Sequence, residues 1–552
     1  MRYSLKDKYY QQLKERVEDK LFNFRPLLFT FLFIAIGVLF AYFYLRIELS
    51  PIWCIGLLPI LATPFFFRKN KYLQTFMAVL VLAAGFIVGV IGLNVQVNLY
   101  CKNKDIQSSV IEGTVYKTGN QEDYFAVMLE NVRIHQKNFY GKVVAYLPKL
   151  NHQNIEITDV LLVYGDLQVN TKNNFNPYYL NEKVIGVIIT DDFSIVGKKY
   201  TFFSSLRYRL QKVIRQGMDK DVAEVALGVL TGNTDGMEYG LLTNMRRGGI
   251  AHIFAVSGLH MGALYSFCLK LIQKTRLRKK PKLFRFIFMA LLLIFYGGIC
   301  GYSPSVIRAI VMCLCFYMGN LTGKRWDLLE SIGLAGCVVL LIQPASLFEV
   351  GFQLSFGACF GIALFSKPLE DTLHQISNWI KVKIFKRSLS PITYQTQGHP
   401  PTVLQRLKRN AVSLITASLS AQMATFPICL SAFGYFSGWG LVLNFIFVPF
   451  ISAVFSVLLV FVLIACVVPL ALSNFILLIP NVVSQAVMLL FYAFDFSNFA
   501  LENITIRTGM ILCYYLSLLF LTDKLNISKS YRYSLFFCCV LGLLVCFLIG
   551  NI

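Results

Sequence analysis

The stretch Arg246–Phe267, RRGGIAHIFAVSGLHMGALYSF, is apolar enough to cross a bilayer, yet it carries His252, Ser257 and His260 in its middle. Polar side chains in hydrocarbon are costly and face a protein interior or a water-filled path. On an unbroken helix the two histidines, eight residues apart, fall about 80° from one another. A break at Gly258 voids that angle but leaves three polar groups within one membrane-depth segment. Two histidines without a carboxylate or thiolate partner are weak evidence for a metal site. VSGLH is also no GxSxG nucleophile elbow. The stretch therefore reads as a broken helix lining an aqueous path, against the plainer alternative of polar groups satisfying one another in helix packing.

The rest of the chain places that segment in a membrane. Of 552 residues, 56% are hydrophobic and only 15% charged, with a mean hydropathy of +0.59, whereas soluble domains run near a quarter charged. The formal charge of +23 invites a nucleic-acid reading, but the positive-inside rule alone concentrates Lys and Arg in cytoplasmic loops. The 14 cysteines sit almost entirely in apolar runs such as Met312–Phe316, with no CxxC pair and no Cys/His zinc spacing. They read as small buried hydrophobes, and no cofactor or metal is expected.

Residues 1–26 form a charged amphipathic segment, expected to be retained as a cytoplasmic surface helix. Apolar segments follow within 27–100, at 27–45, 51–67 and 73–98. Seven Lys/Arg precede the first, and Arg68–Tyr72 (RKNKY) separates the last two, so the N-terminus is expected in the cytoplasm and residue 100 outside. Residues 101–200 change to short alternating runs (SSVIEGTVYKTG, DYFAVMLENVRI, YGKVVAYLP, DVLLVYGDLQV) bounded by turn residues. They predict a small, extracytoplasmic β-barrel or sandwich, an OB-like barrel among the candidates. Acidic and basic residues balance in it. Residues 201–220 predict a basic amphipathic helix at the interface or over the pore mouth.

The remainder comprises a channel-like membrane region over 221–500 and C-terminal spans over 501–552. Spans are expected near 248–270, 285–302, 304–322, 328–347, 350–366, 411–433, 452–471, 475–497, 505–522 and 533–550, with half-helices at 222–232 and 439–451. The fold class is thus a polytopic α-helical membrane protein of roughly 11–13 spans plus re-entrant half-helices, with an inserted OB-like domain. The loop 367–410 is expected to be cytoplasmic and solvated.

Three further motifs hold polar groups among apolar ones. In Gly301–Met312 (GYSPSVIRAIVM), Pro304 starts a helix that Ser303 is placed to cap, near Ser305, and Arg308 lies about one turn inside. In Pro344–Phe365, Glu349 and Gln353 share a helix face, with Ser355 beyond them, and Glu349 is a candidate partner for Arg308. In Ser418–Phe450, Gln422, Pro427, Asn444 and Pro449 interrupt clean spans, as in membrane pathways built on broken helices.

GGIAHIFAVSGLHMG, GYSPSVIRA, GFQLSF and SAQMATFPICLSAFGYFS resemble, in order and spacing, the hallmark blocks of the ComEC competence family. The resemblance runs through most of 222–450. Residues 101–200 resemble that family's OB-like domain, ending in the FNP turn at Phe175–Pro177, contracted afterwards to NPYYLNEKVIG. It implies a non-enzymatic inner-membrane channel that admits one strand of DNA to the cytoplasm during natural transformation. OB folds bind single strands by aromatic stacking, for which Tyr116, Tyr124, Phe125, Tyr140 and Tyr146 are the candidates, with barrel core as their plainer role. None of the six histidines forms an HxH or HxxxDH cluster. The resemblance is therefore to a short form without the family's metallo-β-lactamase-like domain, and any strand degradation falls to a separate nuclease. No P-loop occurs, so a motor is expected to be a cytoplasmic helicase-like ATPase, and an extracytoplasmic receptor is expected to deliver the DNA. Membrane lipid is the remaining partner. A secondary transporter of a small polar solute is the competing class, although no internal repeat is evident. Pore-lining candidates are His252, Ser257, Gly258, His260, Ser303, Ser305, Arg308, Glu349, Gln353, Ser355, Gln422 and Asn444.

Overall fold

The computed structural model describes residues 25–47, 70–101, 106–120, 124–148, 155–172, 175–234, 236–254, 258–323, 327–385, 403–438, 440–493, 500–502, 508–522 and 528–550. The expected N-terminal helix (1–24 of it), the span at 51–67 and Ser257 lie outside these residues. Eight helices among the described residues are long and apolar enough to cross a membrane, and three further apolar helices are shorter. The protein is a multi-pass membrane protein with an inserted β-barrel.

Helices α1 (Pro26–Ile47) and α2 (Asn70–Tyr100) pack closely. A Cβ added at Gly37 would meet the Phe86 carbonyl oxygen at 2.2 Å, and one at Gly89 would meet that of Ile34 at 2.2 Å. With lipid as apolar as the helices themselves, such close backbone approach is what drives association. Arg25, at the start of α1, forms an ion pair with Asp327, and Leu27 N donates to Glu330 Oε2 at 3.1 Å.

The barrel grows from the far end of that pair. Strands β1 (Ile106–Asn120), β2 (Tyr124–Ile134), β4 (Lys142–Pro148), β6 (Val184–Ile189) and β5 (Asp159–Val169) form a cycle closed by β1–β5 pairing. The β4–β6 pair is parallel and the others antiparallel. Short β3 (Lys137–Asn138) flanks β2, and β7 (Phe193–Lys198) flanks β5. Alternate residues such as Ile111, Val127, Leu129, Leu161 and Val163 fill the interior, as the period-2 pattern predicts. The four alternating runs are β1, β2, β4 and β5. VIGVII, which became β6, showed no alternation because both of its faces are buried.

Helix α3 (Pro177–Asn181) is capped by Asn176, whose side chain accepts from Tyr178 N at 2.9 Å. It fastens the barrel to the membrane helices. Gln96 of α2 donates to Leu180 O and accepts from Ala345 N, both at 3.0 Å. Phe175 of the FNP turn packs edge-on against Tyr42 of α1 at 5.8 Å.

Helix α4 (Phe202–Gly217) buries Leu210, Val213 and Ile214 as its amphipathic pattern predicts, and a Thr201–Ser204 capping box opens it. The 12-residue α5 (Lys220–Thr231) is the expected half-helix at 222–232 and is buried over most of its length. α6 (Tyr239–Arg247), α7 (Gly258–Lys274), α8 (Lys282–Ile299), α9 (Pro304–Thr322) and α10 (Leu328–Ile342) follow.

Two expectations are corrected beyond them. α11 (Val350–Phe385) continues through Pro368, and α12 (Val403–Phe433) starts early, so much of the expected loop 367–410 is helical. Likewise 439–451 is no separate half-helix: α13 (Gly440–Val467) runs unbroken through Pro449. A proline removes one helix hydrogen bond, a loss that neighbouring groups in a helical bundle make good. α14 (Leu470–Ala493), α15 (Thr508–Leu521) and α16 (Lys529–Gly550) complete the membrane region.

Candidate functional site

The opening stretch is not one span. α6 stops at Arg247, and Gly249 adopts φ +72° with its N–H bonded to Arg246 O at 3.0 Å. A 3-10 turn follows at Ala251–Ile253, and α7 begins only at Gly258. Gly249 is doubly required: φ is left-handed, and a Cβ there would lie 2.8 Å from Ser437 Cβ. The break thus falls before Gly258, and the helical angle between the histidines has no meaning here.

His252 Nδ1 lies 3.1 Å from Gly249 O. The residue is exposed. His260 is 1% exposed and packs edge-on against Phe455 of α13 at 4.8 Å. The two imidazoles lie within electrostatic reach of each other. Among the described residues no cluster of His, Cys, Asp and Glu could hold a metal ion.

Arg308 approaches the same stretch from α9. Pro304 occupies the first turn of α9 as expected, but Ser303 makes no side-chain cap bond. Its carbonyl instead accepts from Val306 N at 2.9 Å and Ile307 N at 3.0 Å. Ser305 Oγ donates to Gly351 O at 3.4 Å, tying α9 to the start of α11. Arg308 is 5% exposed. Its Nη1 donates to the Ser355 carbonyl and, at 2.8 Å, to Cys359 Sγ, while its guanidinium sits 5.7 Å above the Phe356 ring. Nη2 points towards Gly258, where a Cβ would stand 3.4 Å away.

Glu349 is not the partner of Arg308. It ends the 3-10 turn Pro344–Phe348, which docks on α3 of the barrel, so its carboxyl is turned to Asn181. Burial pushes its pKa up to about 7, with the neighbouring Asn181 amide opposing and nearby Glu182 reinforcing the shift. Gln353, on the same face, donates to Leu347 O at 3.1 Å. That face serves barrel docking.

A third group converges on the other flank of the break. β8 (Tyr435–Ser437) pairs with β9 (Ala500–Glu502) in a small ribbon, and buried Ser437 meets Gly249. The Gln422 amide nitrogen lies 3.0 Å from where a Cβ of Gly440 would be. Asn444 Nδ2 donates to Ser418 Oγ at 3.4 Å, while its buried Oδ1 makes no hydrogen bond among the described residues. Ser437 therefore meets the stretch at Gly249 and Arg308 meets it at Gly258, while Gln422 lies against Gly440 beside Ser437. Sequence reasoning missed Ser437, Gly440 and Cys359, although the glycine density of GYFSGWG pointed to close packing there.

On the barrel, the aromatic candidates divide. The Tyr116 ring is taken by Lys142 at 3.7 Å and Arg207 at 5.0 Å. Tyr146 OH lies 3.4 Å from Tyr179 OH, and Phe125 packs against the barrel core. Tyr124 is 43% and Tyr140 73% exposed, the latter stacked on Tyr100 at 6.2 Å. A cavity of about 400 Å³ separates the barrel from α4, lined by Phe125, Tyr208, Lys212 and Arg215 among others.

Parts of the chain resemble known proteins. ComE operon protein 3 of Bacillus subtilis (strain 168) is 27% identical over 247 residues, 45% of this chain and 27% of its own. The uncharacterized MG316 homologue of Mycoplasma pneumoniae is 25% identical over 182 residues, 33% of this chain and 44% of its own. An uncharacterized protein of Aquifex aeolicus is 27% identical over 123 residues, 22% of this chain and 28% of its own. Each match covers less than half of the relative's length. No solved structure matches the chain. The family described as Competence protein matches residues 229–525, which hold α6 to α15 and every membrane-region motif above. The chain belongs to the competence protein family.

Proposed function

We propose that this protein forms the passage by which one strand of DNA crosses the cytoplasmic membrane during natural transformation, without itself catalysing a covalent step. The observation that carries this reading is a broken stretch inside an apolar bundle that bears exposed His252, abuts Ser437 at Gly249 and meets Arg308 at Gly258. Irregular backbone at membrane depth is tolerated where it is buried in protein or lines a water-filled cavity. Family membership supplies the link to competence.

Orientation follows from charge. Arg25 pairs with Asp327 at the end of α1 away from the barrel, and the basic run Arg276–Lys279 lies at the start of α8, whose other end meets α4. The positive-inside rule then supports a cytoplasmic N-terminus and a barrel outside. The barrel is read as an OB-like domain that meets single-stranded DNA through Tyr124 and Tyr140, the most exposed of the candidate aromatics. A cytoplasmic helicase-like ATPase would supply the force, an extracytoplasmic receptor the DNA, and a separate nuclease any degradation of the other strand. The test is deletion of the gene followed by measurement of labelled DNA reaching the cytoplasm. Loss of internalisation with intact surface binding is expected, and unchanged internalisation would refute the proposal.

A further inference from the structure

Arg308, whose side chain reaches Gly258 at one end of the broken stretch, has an unusual set of partners. Arg308 is 5% exposed, and no carboxylate neutralises it among the described residues. A buried charge without a counter-charge is strongly disfavoured, and carbonyl and thiol contacts offset that only in part. Both of those contacts use Nη1. Nε is buried and makes no hydrogen bond among the described residues. Nη2 makes none either and stands towards Gly258.

Nε–H and Nη2–H lie side by side on one edge of a guanidinium, the edge that takes two oxygens of a phosphate at once. The edge without a hydrogen-bond partner among the described residues is therefore the one suited to a tetrahedral oxyanion. It faces Gly258, the first residue of the 17-residue α7. The N-terminal end of a helix carries a partial positive charge and attracts anions. Gly258 also brings no side chain into the space between the two.

We propose that the open edge of Arg308 and the N-terminal end of α7 together form an anion site that takes one phosphodiester group of a single-stranded polynucleotide. The inference rests on the reading of this region as the DNA passage and gives that passage a specific phosphate step. Because Nη1 is already committed to α11, only one edge grips the phosphate. The site is a single station on the path, and a chain of such phosphates leaves it as readily as it arrives.

The test uses the purified full-length protein and two variants that act on different components. Arg308→Gln removes the charge, and Gly258→Val keeps it while filling the space beside Nη2. Binding of inorganic phosphate is followed by equilibrium dialysis, and binding of a short oligothymidylate by fluorescence anisotropy with inorganic phosphate as competitor. Circular dichroism and gel filtration establish that each variant is folded, and Arg308→Lys serves as the charged control. Each of the two variants is expected to weaken phosphate binding about tenfold or more, the range for a lost charge-assisted hydrogen bond, and Arg308→Lys less. Wild-type phosphate binding in a folded Arg308→Gln protein, or in a folded Gly258→Val protein, overturns the site. If phosphatidylglycerol vesicles displace the bound phosphate and the oligothymidylate does not, the assignment to a polynucleotide fails. Transit of the oligothymidylate across proteoliposomes is scored separately. Failure of wild-type transit with intact phosphate binding rejects the passage reading and leaves the anion site standing.

Discussion

Replacing Gly249 by alanine tests the geometry of the break from two directions. The first contribution is conformational. At φ +72° an L-residue with a Cβ loses roughly 1–2 kcal/mol relative to glycine. The second is steric: the new Cβ would stand 2.8 Å from Ser437 Cβ, closer than real Cβ atoms come. Overpacking of that kind costs about 1–3 kcal/mol. Together they predict a loss of roughly 2–5 kcal/mol, large against the stability of most folded domains. Gly258→Ala is the matched control, because no positive φ is required there and its nearest neighbour, Arg308 Nη2, is at ordinary contact distance, 3.4 Å. The assay is thermal unfolding of the purified variants in detergent, followed by tryptophan fluorescence. Adding Ser437→Gly to Gly249→Ala should recover the steric part and leave the conformational part, a coupling that a double-mutant cycle isolates. A Gly249→Ala protein as stable as wild type would show that Gly249 neither holds a left-handed turn nor abuts β8, and the account of the break would fall.

Glu349 predicts a pH dependence. Its folded-state pKa is raised to about 7 from the usual carboxylate range, so its stabilising contribution is complete at acidic pH and fades as pH rises through about 7. Barrel docking in the wild type should melt at lower temperature as pH is raised across that window, whereas Glu349→Gln should flatten the profile. Asp327→Asn removes the counter-charge of buried Arg25 and should lower stability by roughly 1–3 kcal/mol, read by the same unfolding assay, with recovery in the charge-exchanged pair. On the barrel, Tyr140→Ala should weaken binding of an oligothymidylate by roughly 1–3 kcal/mol while sparing stability. Tyr116→Leu should do the reverse, because its ring already holds Lys142 and Arg207. Anisotropy titrations and melting curves distinguish the two.

The parts of the fold that were legible in the sequence share a single strong period. Alternation over Asp159–Val169 gave β5, and the apolar stripe Leu210, Val213, Ile214 gave α4. β6 was invisible because a strand buried on both faces has no alternation. The continuity of α13 through Pro449 was misread for another reason: a proline reads as a break in water, and only the bundle around it shows that the helix survives. At the site, the sequence singled out His252, Arg308 and Gln422 by polarity. It could not show that Glu349 turns to Asn181, since a shared helix face says nothing about which neighbour that face meets. Nor could it place Ser437 beside Gly249, a contact across 188 residues of chain that only tertiary packing creates.

The central claim is that residues 249–258 border the path of the DNA. A photo-crosslinking side chain in place of His252, paired with one in place of Leu291, which is 62% exposed on the outside of α8, tests it most directly. Both variants would be illuminated in cells while labelled DNA is arrested during uptake. The account predicts covalent capture of single-stranded DNA from position 252 and none from position 291. Equal capture at both positions, or capture at 291 alone, would contradict it.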